Sequence, residues 1–304
     1  MALPNELHPL QLGAGSASAY QIEQSLRFDG DTAKKFYRTN GSDGTSRASC
    51  ASMWVKLADF VTNKNGEPGM GCLQWKDASS CTGVSAINYQ RSHSNASIAT
   101  RFNVAGIGND YTYPAVQRDA SAWYHLFVSM SDSSTLTGFW INGVQQSHSG
   151  SGASSYQFWN GNGRIVSVGT SRNSCGANEV FNGYIAEVHF VDNATKSVTD
   201  FGEYDQSGVW RPIEYTGTYG TNGFYLKFDP SAANGIGHDH SGNGNNFTAT
   251  GFTTSGTGTD VMSDTPTKNW CTINPLDGPT STTLTYTEGN LTSCLLYTSP
   301  SPRD

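Results

Sequence analysis

Two short segments, Trp123-Tyr124-His125-Leu126-Phe127-Val128 and Phe139-Trp140-Ile141-Asn142-Gly143-Val144, restrict the fold more than anything else in the chain. The first alternates large apolar side chains with smaller ones, the period of a half-buried strand. The second is a short apolar strand ending in Asn142-Gly143, a dipeptide that takes the positive φ of a tight hairpin turn. A third segment, Phe181 to Phe190, places Tyr184, Ala186, Val188 and Phe190 in one register, with Ile185, Glu187 and His189 on the other face.

Similar runs fill much of the remaining chain: Gln24 to Phe28, Cys50 to Leu57, Leu73 to Trp75, Ser85 to Tyr89, Ser97 to Val104 and Ile165 to Val168. With turn residues between them, they make about nine or ten strands. Only 14% of the residues are charged, against about 25% in a typical soluble domain. Glycine, at 34 residues, punctuates the strands. The expected fold is all-β, with two antiparallel sheets packed as a jelly-roll sandwich and a β-rich C-terminal extension. Trp54, Trp75, Trp123 and Trp140 are expected mostly in its core, and His125 as a packed or edge histidine.

In chain order, the W-x-H strand, the strand ending in NG and the F-x-G-x-I-x-E-V strand resemble the laminin-G-like branch of the concanavalin A-like lectin and glucanase jelly rolls. The resemblance covers roughly residues 22–195. It implies the sandwich, but that fold hosts lectins, hydrolases and inert packing domains alike. The longer array, most fully Phe201-Gly202-Glu203 through Phe228, resembles large structural proteins of marine phage-like viruses. That likeness implies a virion or tail protein assembled in the host cytoplasm, with an extracellular protein as the alternative. The expected organisation is an irregular lead-in over 1–20, the jelly roll over 21–197, and strands added to the sandwich over 198–252. A linker and the start of a further domain are expected over 253–293. Cys294 to Asp304, CLLYTSPSPRD, resembles a translated sequencing adapter and is expected not to be natural sequence.

The net charge of −7 and the pI near 5.4 argue against a nucleic-acid surface. No apolar run is long enough for a membrane helix. The opening MALPNELHPLQLGAGSASAY has neither a basic start nor a continuous apolar core, so a secretory signal is not expected if Met1 is the true start. Cys72 and Cys81 are close enough in sequence to bridge a loop, but without a CxxC pair reduced thiols are the simpler expectation.

No catalytic residues are expected. Glycoside hydrolases of the resembled superfamily need acids at E-x-D-x-x-E spacing; here Glu203-Tyr204-Asp205 is followed at the third acid position by Gly208. No Gly-x-Ser-x-Gly or HExxH motif is present. A sugar ring would need an aromatic platform, for which the loop residues Tyr111, Tyr113, Tyr156, Phe158 and Trp159 are candidates. Calcium would need hard oxygen ligands, and Asp239, Asn243 and Asn245 share one Gly-rich turn. The same residues equally suit a turn whose side chains cap its own backbone. The expected function is a non-enzymatic lectin-like adhesion or structural module, with a host glycan and other virion proteins as partners, and with neither nucleic acid nor membrane. The alternatives are a secreted cellular carbohydrate-binding protein and a ligand-free decoration domain.

Overall fold

The computed structural model describes residues 20–30, 33–58, 69–77, 85–91, 100–106, 109–112, 117, 119–132, 136–147, 159–169, 180–273, 284–287 and 289–295. The strands are β1 (Ser25–Asp29), β2 (Lys35–Thr39), β3 (Ser49–Leu57), β4 (Gly69–Asp77), β5 (Ser85–Arg91), β6 (Thr100–Gly106), β7 (Asn109–Thr112), β8 (Trp123–Met130), β9 (Leu136–Ile141) and β10 (Val144–Gln145). They continue with β11 (Arg164–Val168), β12 (Asn182–Asp192), β13 (Gly202–Tyr204), β14 (Trp210–Pro212), β15 (Phe224–Leu226), β16 (Thr248–Thr250), β17 (Val261–Met262), β18 (Leu284–Thr287) and β19 (Thr292–Leu295). One sheet runs β10-β9-β8-β3-β12-β1-β17, with β15 also paired to β12; the other runs β16-β2-β11-β4-β5-β6-β7. Every pairing within them is antiparallel, and the two sheets pack face to face as the jelly-roll sandwich.

Alternation decides what lies between the sheets. Met53, Val55 and Leu57 of β3 and Leu126, Val128 and Met130 of β8 point inward, against Phe36, Leu73, Trp75, Ile87, Val166 and Val168 of the facing sheet. The β9–β10 hairpin turns at Asn142 (φ 49°) and Gly143 (φ 77°), both in the left-handed region a tight primed turn requires. A Cβ at Gly143 would stand 2.4 Å from the Trp210 ring, so the position requires glycine on two grounds.

The closing strand departs from the expected register. Opposite Met53 of β3, β12 places two residues, Glu187 and Val188, and this bulge resets the alternation. Ile185, Val188 and Phe190 therefore face the inter-sheet core. Tyr184, Ala186 and Val191 join the cluster on the outer side.

That outer side of the first sheet is also covered. Residues 193–223, rich in aromatics and glycine but without periodicity, lie across it and bring Phe201, Trp210, Tyr215 and Tyr219 onto Trp54, Trp123 and Phe127. His125 is fully buried there, its ring 4.9 Å from Trp54 and 5.8 Å from Trp210. The Trp210 indole N–H donates to Nδ1 at 3.0 Å, so Nε2 carries the proton and donates to the Ser52 hydroxyl at 2.8 Å. Burial, and secondarily the nearby His189, pushes the His125 pKa down to about 3.

Residues 253–273, whose composition suggests a linker, pack on the sandwich and supply β17. Two aspartates hold them. Asp260 Oδ1 accepts from Arg27 at 3.0 Å and Lys34 at 2.8 Å. Asp264 accepts from Lys56 at 2.8 Å and from the Trp123 indole at 3.0 Å. The β18–β19 hairpin also rests on the sandwich, with the Gly289 carbonyl accepting from the Tyr184 hydroxyl at 2.7 Å. Cys72 is an unpaired buried thiol; Cys81 lies outside the described residues.

Candidate functional site

The first sheet is forked. β1 pairs with β12 up to Leu26–Ile185, and β15 joins β12 from Val188–Leu226. The opposite edge of β12 belongs to β3, so β1 and β15 share one edge and leave a gap between them. Ala186 and Glu187, at the bulge, face that gap.

The gap opens into a cleft of about 280 Å³, near the lower end for small-molecule sites. Glu187 forms its floor, the run 20–24 one wall, and Lys227, Asp229 and Ser231 the other. The first wall is pinned by Thr267, whose hydroxyl accepts from Ile22 N–H at 3.0 Å and donates to its carbonyl at 3.2 Å. Lys268 adds an ion pair to Glu23 at 2.9 Å.

Glu187 has φ 45°, a conformation that costs a non-glycine residue about 1–3 kcal/mol and persists only where its surroundings impose it. Here the surroundings are aromatic. The Tyr20 and Tyr225 hydroxyls both donate to Oε1 and stand 2.7 Å apart. Burial, followed by the Glu187 charge, drives both phenol pKa values well above their usual range, so both remain donors. His189 stacks on Tyr225 at 4.2 Å. Its Nε2 lies 3.8 Å from Glu187 Oε2, and its Nδ1 meets the Tyr219 hydroxyl at 2.9 Å. The Lys227 ammonium lies over the Tyr225 ring, 5.2 Å from its centroid. Asp229 accepts from the Ser231 hydroxyl at 2.7 Å and its N–H at 2.8 Å, and these bonds hold its pKa low. The cleft thus offers carboxylates, an ammonium, hydroxyls and amide side chains, donors and acceptors of the kind that read a polyol.

Of the residues expected from sequence to bind sugar, Trp159 is the one whose side chain is described. Trp159 is 2% exposed and stacks on Trp75 at 4.4 Å inside the sandwich, where it presents no face to solvent. Tyr111 lies in β7, and its side chain is outside the described set; Tyr113, Tyr156 and Phe158 lie outside the described residues altogether.

The Gly-rich turn is braced by its own chain. Asp239, buried, accepts from the backbone N–H groups of Tyr225, Ser241 and Asn245 and from the Ser241 hydroxyl, all at 2.8–2.9 Å. Asn243 donates to the carbonyls of Gly220 and Gly223, and Asn245 to those of Thr221 and Gly223. The Asn245 carbonyl oxygen accepts from Arg38 at 2.6 Å. Among the described residues, no three His, Cys, Asp or Glu side chains converge as a metal site needs. The sequence reading missed Tyr20, Tyr225 and Lys227, and placed Glu187 only as one residue of a strand face. The available signal was that acid itself, because a carboxylate inside an otherwise apolar strand is rarely buried without partners.

No family model matches the sequence, and no curated protein sequence matches it. Solved structures do share the fold. A protein from Bacteroides ovatus, described as a candidate carbohydrate binding protein, superposes with TM-score 0.54 at 16% identity, over 76% of this chain and 59% of that one. This chain thus spans less than two thirds of that protein's length. A heptameric pentraxin from Limulus polyphemus gives TM-score 0.41 at 12% identity, over 59% of this chain and 80% of its own. Mouse laminin alpha1 domains LG4-5 give 0.39 at 9% identity, over 70% of this chain and 52% of theirs. The protein is a jelly-roll β-sandwich, and identities this low speak to fold alone.

Proposed function

We propose that this chain is a non-enzymatic, lectin-like module of a phage virion or tail protein that adheres to host glycans through the forked cleft. The observation that carries the reading is the cleft itself: a preformed opening in a sheet, floored by a strained carboxylate and walled by hydroxyl-reading groups. The shared fold with the Bacteroides ovatus protein supports it. So does the sequence around Glu203 and Asp205, which lacks the third acid of the hydrolase pattern. Glycan-array binding of the full chain tests it, alongside Ser231→Trp, which fills the cleft mouth. The expected result is a set of bound glycans whose signal disappears in the variant. Binding of no glycan at all overturns the adhesion role in favour of a spacing domain. Peptides of this chain in purified phage particles support the virion assignment; peptides only in a host secretome overturn it.

A further inference from the structure

The cleft contains one buried carboxylate with no Lys or Arg partner among the described residues. Glu23 is paired with Lys268 at 2.9 Å, and Lys227 is close enough to Asp229 to help stabilise its carboxylate. Glu187 is 4% exposed, and among the described residues no Lys or Arg lies within ion-pair distance of it. Its nearest basic neighbour is His189 at 3.8 Å, whose other nitrogen is engaged by Tyr219. The titratable groups around this floor are Tyr20, Glu23, Tyr219, Tyr225, His189, Lys227 and Asp229, with Glu214 acting on Tyr20 from further away. Glu23, Asp229 and Glu214 add negative potential, that of Glu23 offset by Lys268. A carboxylate removed from water with no permanently charged partner is costly, and a ligand cation that reaches it relieves that cost. The site already accommodates one ammonium group, that of Lys227 over Tyr225.

We propose that the cleft selects saccharides that carry a free, protonated amino group. The amine sits at Glu187, and the ring hydroxyls reach Asp229, Ser231 and the 20–24 wall. This rests on the glycan reading above and specifies its ligand class.

The test is calorimetric titration of the full chain with a glucosamine tetramer and with its N-acetylated counterpart, the same backbone with and without charge. At neutral pH and low salt the free-amine form is expected to bind about tenfold tighter or more, the worth of one charge-assisted hydrogen bond. The gap should narrow as salt is raised. Glu187→Gln keeps an acceptor for the two tyrosines, removes the charge and should bring the two ligands to comparable affinity. Lys227→Gln alters an exposed side chain and removes the competing ammonium, so it should tighten the amine ligand even if Glu187→Gln does not fold. Any of three results overturns the proposal: preference for the acetylated form, an unchanged preference in Glu187→Gln, or weaker amine binding in Lys227→Gln. Binding of neutral sugars without amine preference sinks the proposal and leaves the glycan reading intact. Binding of neither tetramer, nor of any arrayed glycan, removes both.

Discussion

The first sheet buries both its faces, and by different chemistry. Its inner face meets the second sheet chiefly through aliphatic and aromatic side chains, such as Met53, Val55, Leu126, Val128, Ile185 and Phe190. Its outer face, under residues 193–223 and 253–273, buries Lys56, His125, Glu187 and His189 among tryptophans and tyrosines. Apolar packing tolerates any neighbour of suitable volume. A buried charge requires a specific partner at a specific atom. The inner face is thus built for cohesion. The outer face must be assembled in one arrangement, and the cleft sits within it.

Breaking one partner of a buried pair is the severest test of this contrast. Asp264→Ala leaves the Lys56 ammonium, 0% exposed, without its counter-charge, and is expected to cost about 3–5 kcal/mol in urea unfolding. The double change Lys56→Met with Asp264→Leu should recover most of that loss. If the single change costs no more than an exposed substitution, the outer face is not charge-locked. On the inner face, Leu126→Ala should cost about 2–5 kcal/mol, with no rescue by a second polar change.

The two faces also differ in how far the sequence discloses them. Strict alternation through Trp123 to Val128 identifies the inward residues of β8, because a half-buried strand can satisfy its core only with period two. The same logic fails at Ala186 and Glu187. A bulge inserts one residue without altering composition, and everything after it changes face. Tyr20 and Tyr225 lie 167 and 38 positions from Glu187 in the chain. No spacing rule links them; only the path of β1 and β15 along one edge of β12 does. The Asp239 turn was legible as a turn. Its composition suits a calcium loop or a self-capped one equally, and the choice depends on which backbone N–H groups the fold brings within reach.

Tyr225→Phe sharpens the contrast at the cleft itself. It keeps the ring stacked on His189 and removes one of the two donors to Glu187 Oε1. Thermal unfolding should show a loss of about 1.5–3 kcal/mol, the usual value for a hydrogen bond to a charged group. No loss would mean that Tyr20 alone satisfies the carboxylate.

A gentler probe uses pH. His125 titrates near its ordinary value of 6.5 in the unfolded chain and is pushed down to about 3 in the folded one. Between those values the unfolded state holds a proton that the folded state does not. Stability is therefore full above pH 6.5 and falls as the pH drops toward 3, by at most about 1.4 kcal/mol per pH unit from this group. On the inward register of β12, burial raises the Asp192 pKa, which gives a slope of the opposite sign, so a loss of stability on acidification belongs to the outer face. Replacing His125 with Gln, which retains polar bonding capacity toward Ser52 and Trp210, should flatten the unfolding free energy between pH 6.5 and pH 4. A slope unchanged by that substitution would assign the acid sensitivity to other groups and remove His125 as the outer face's proton-sensitive element.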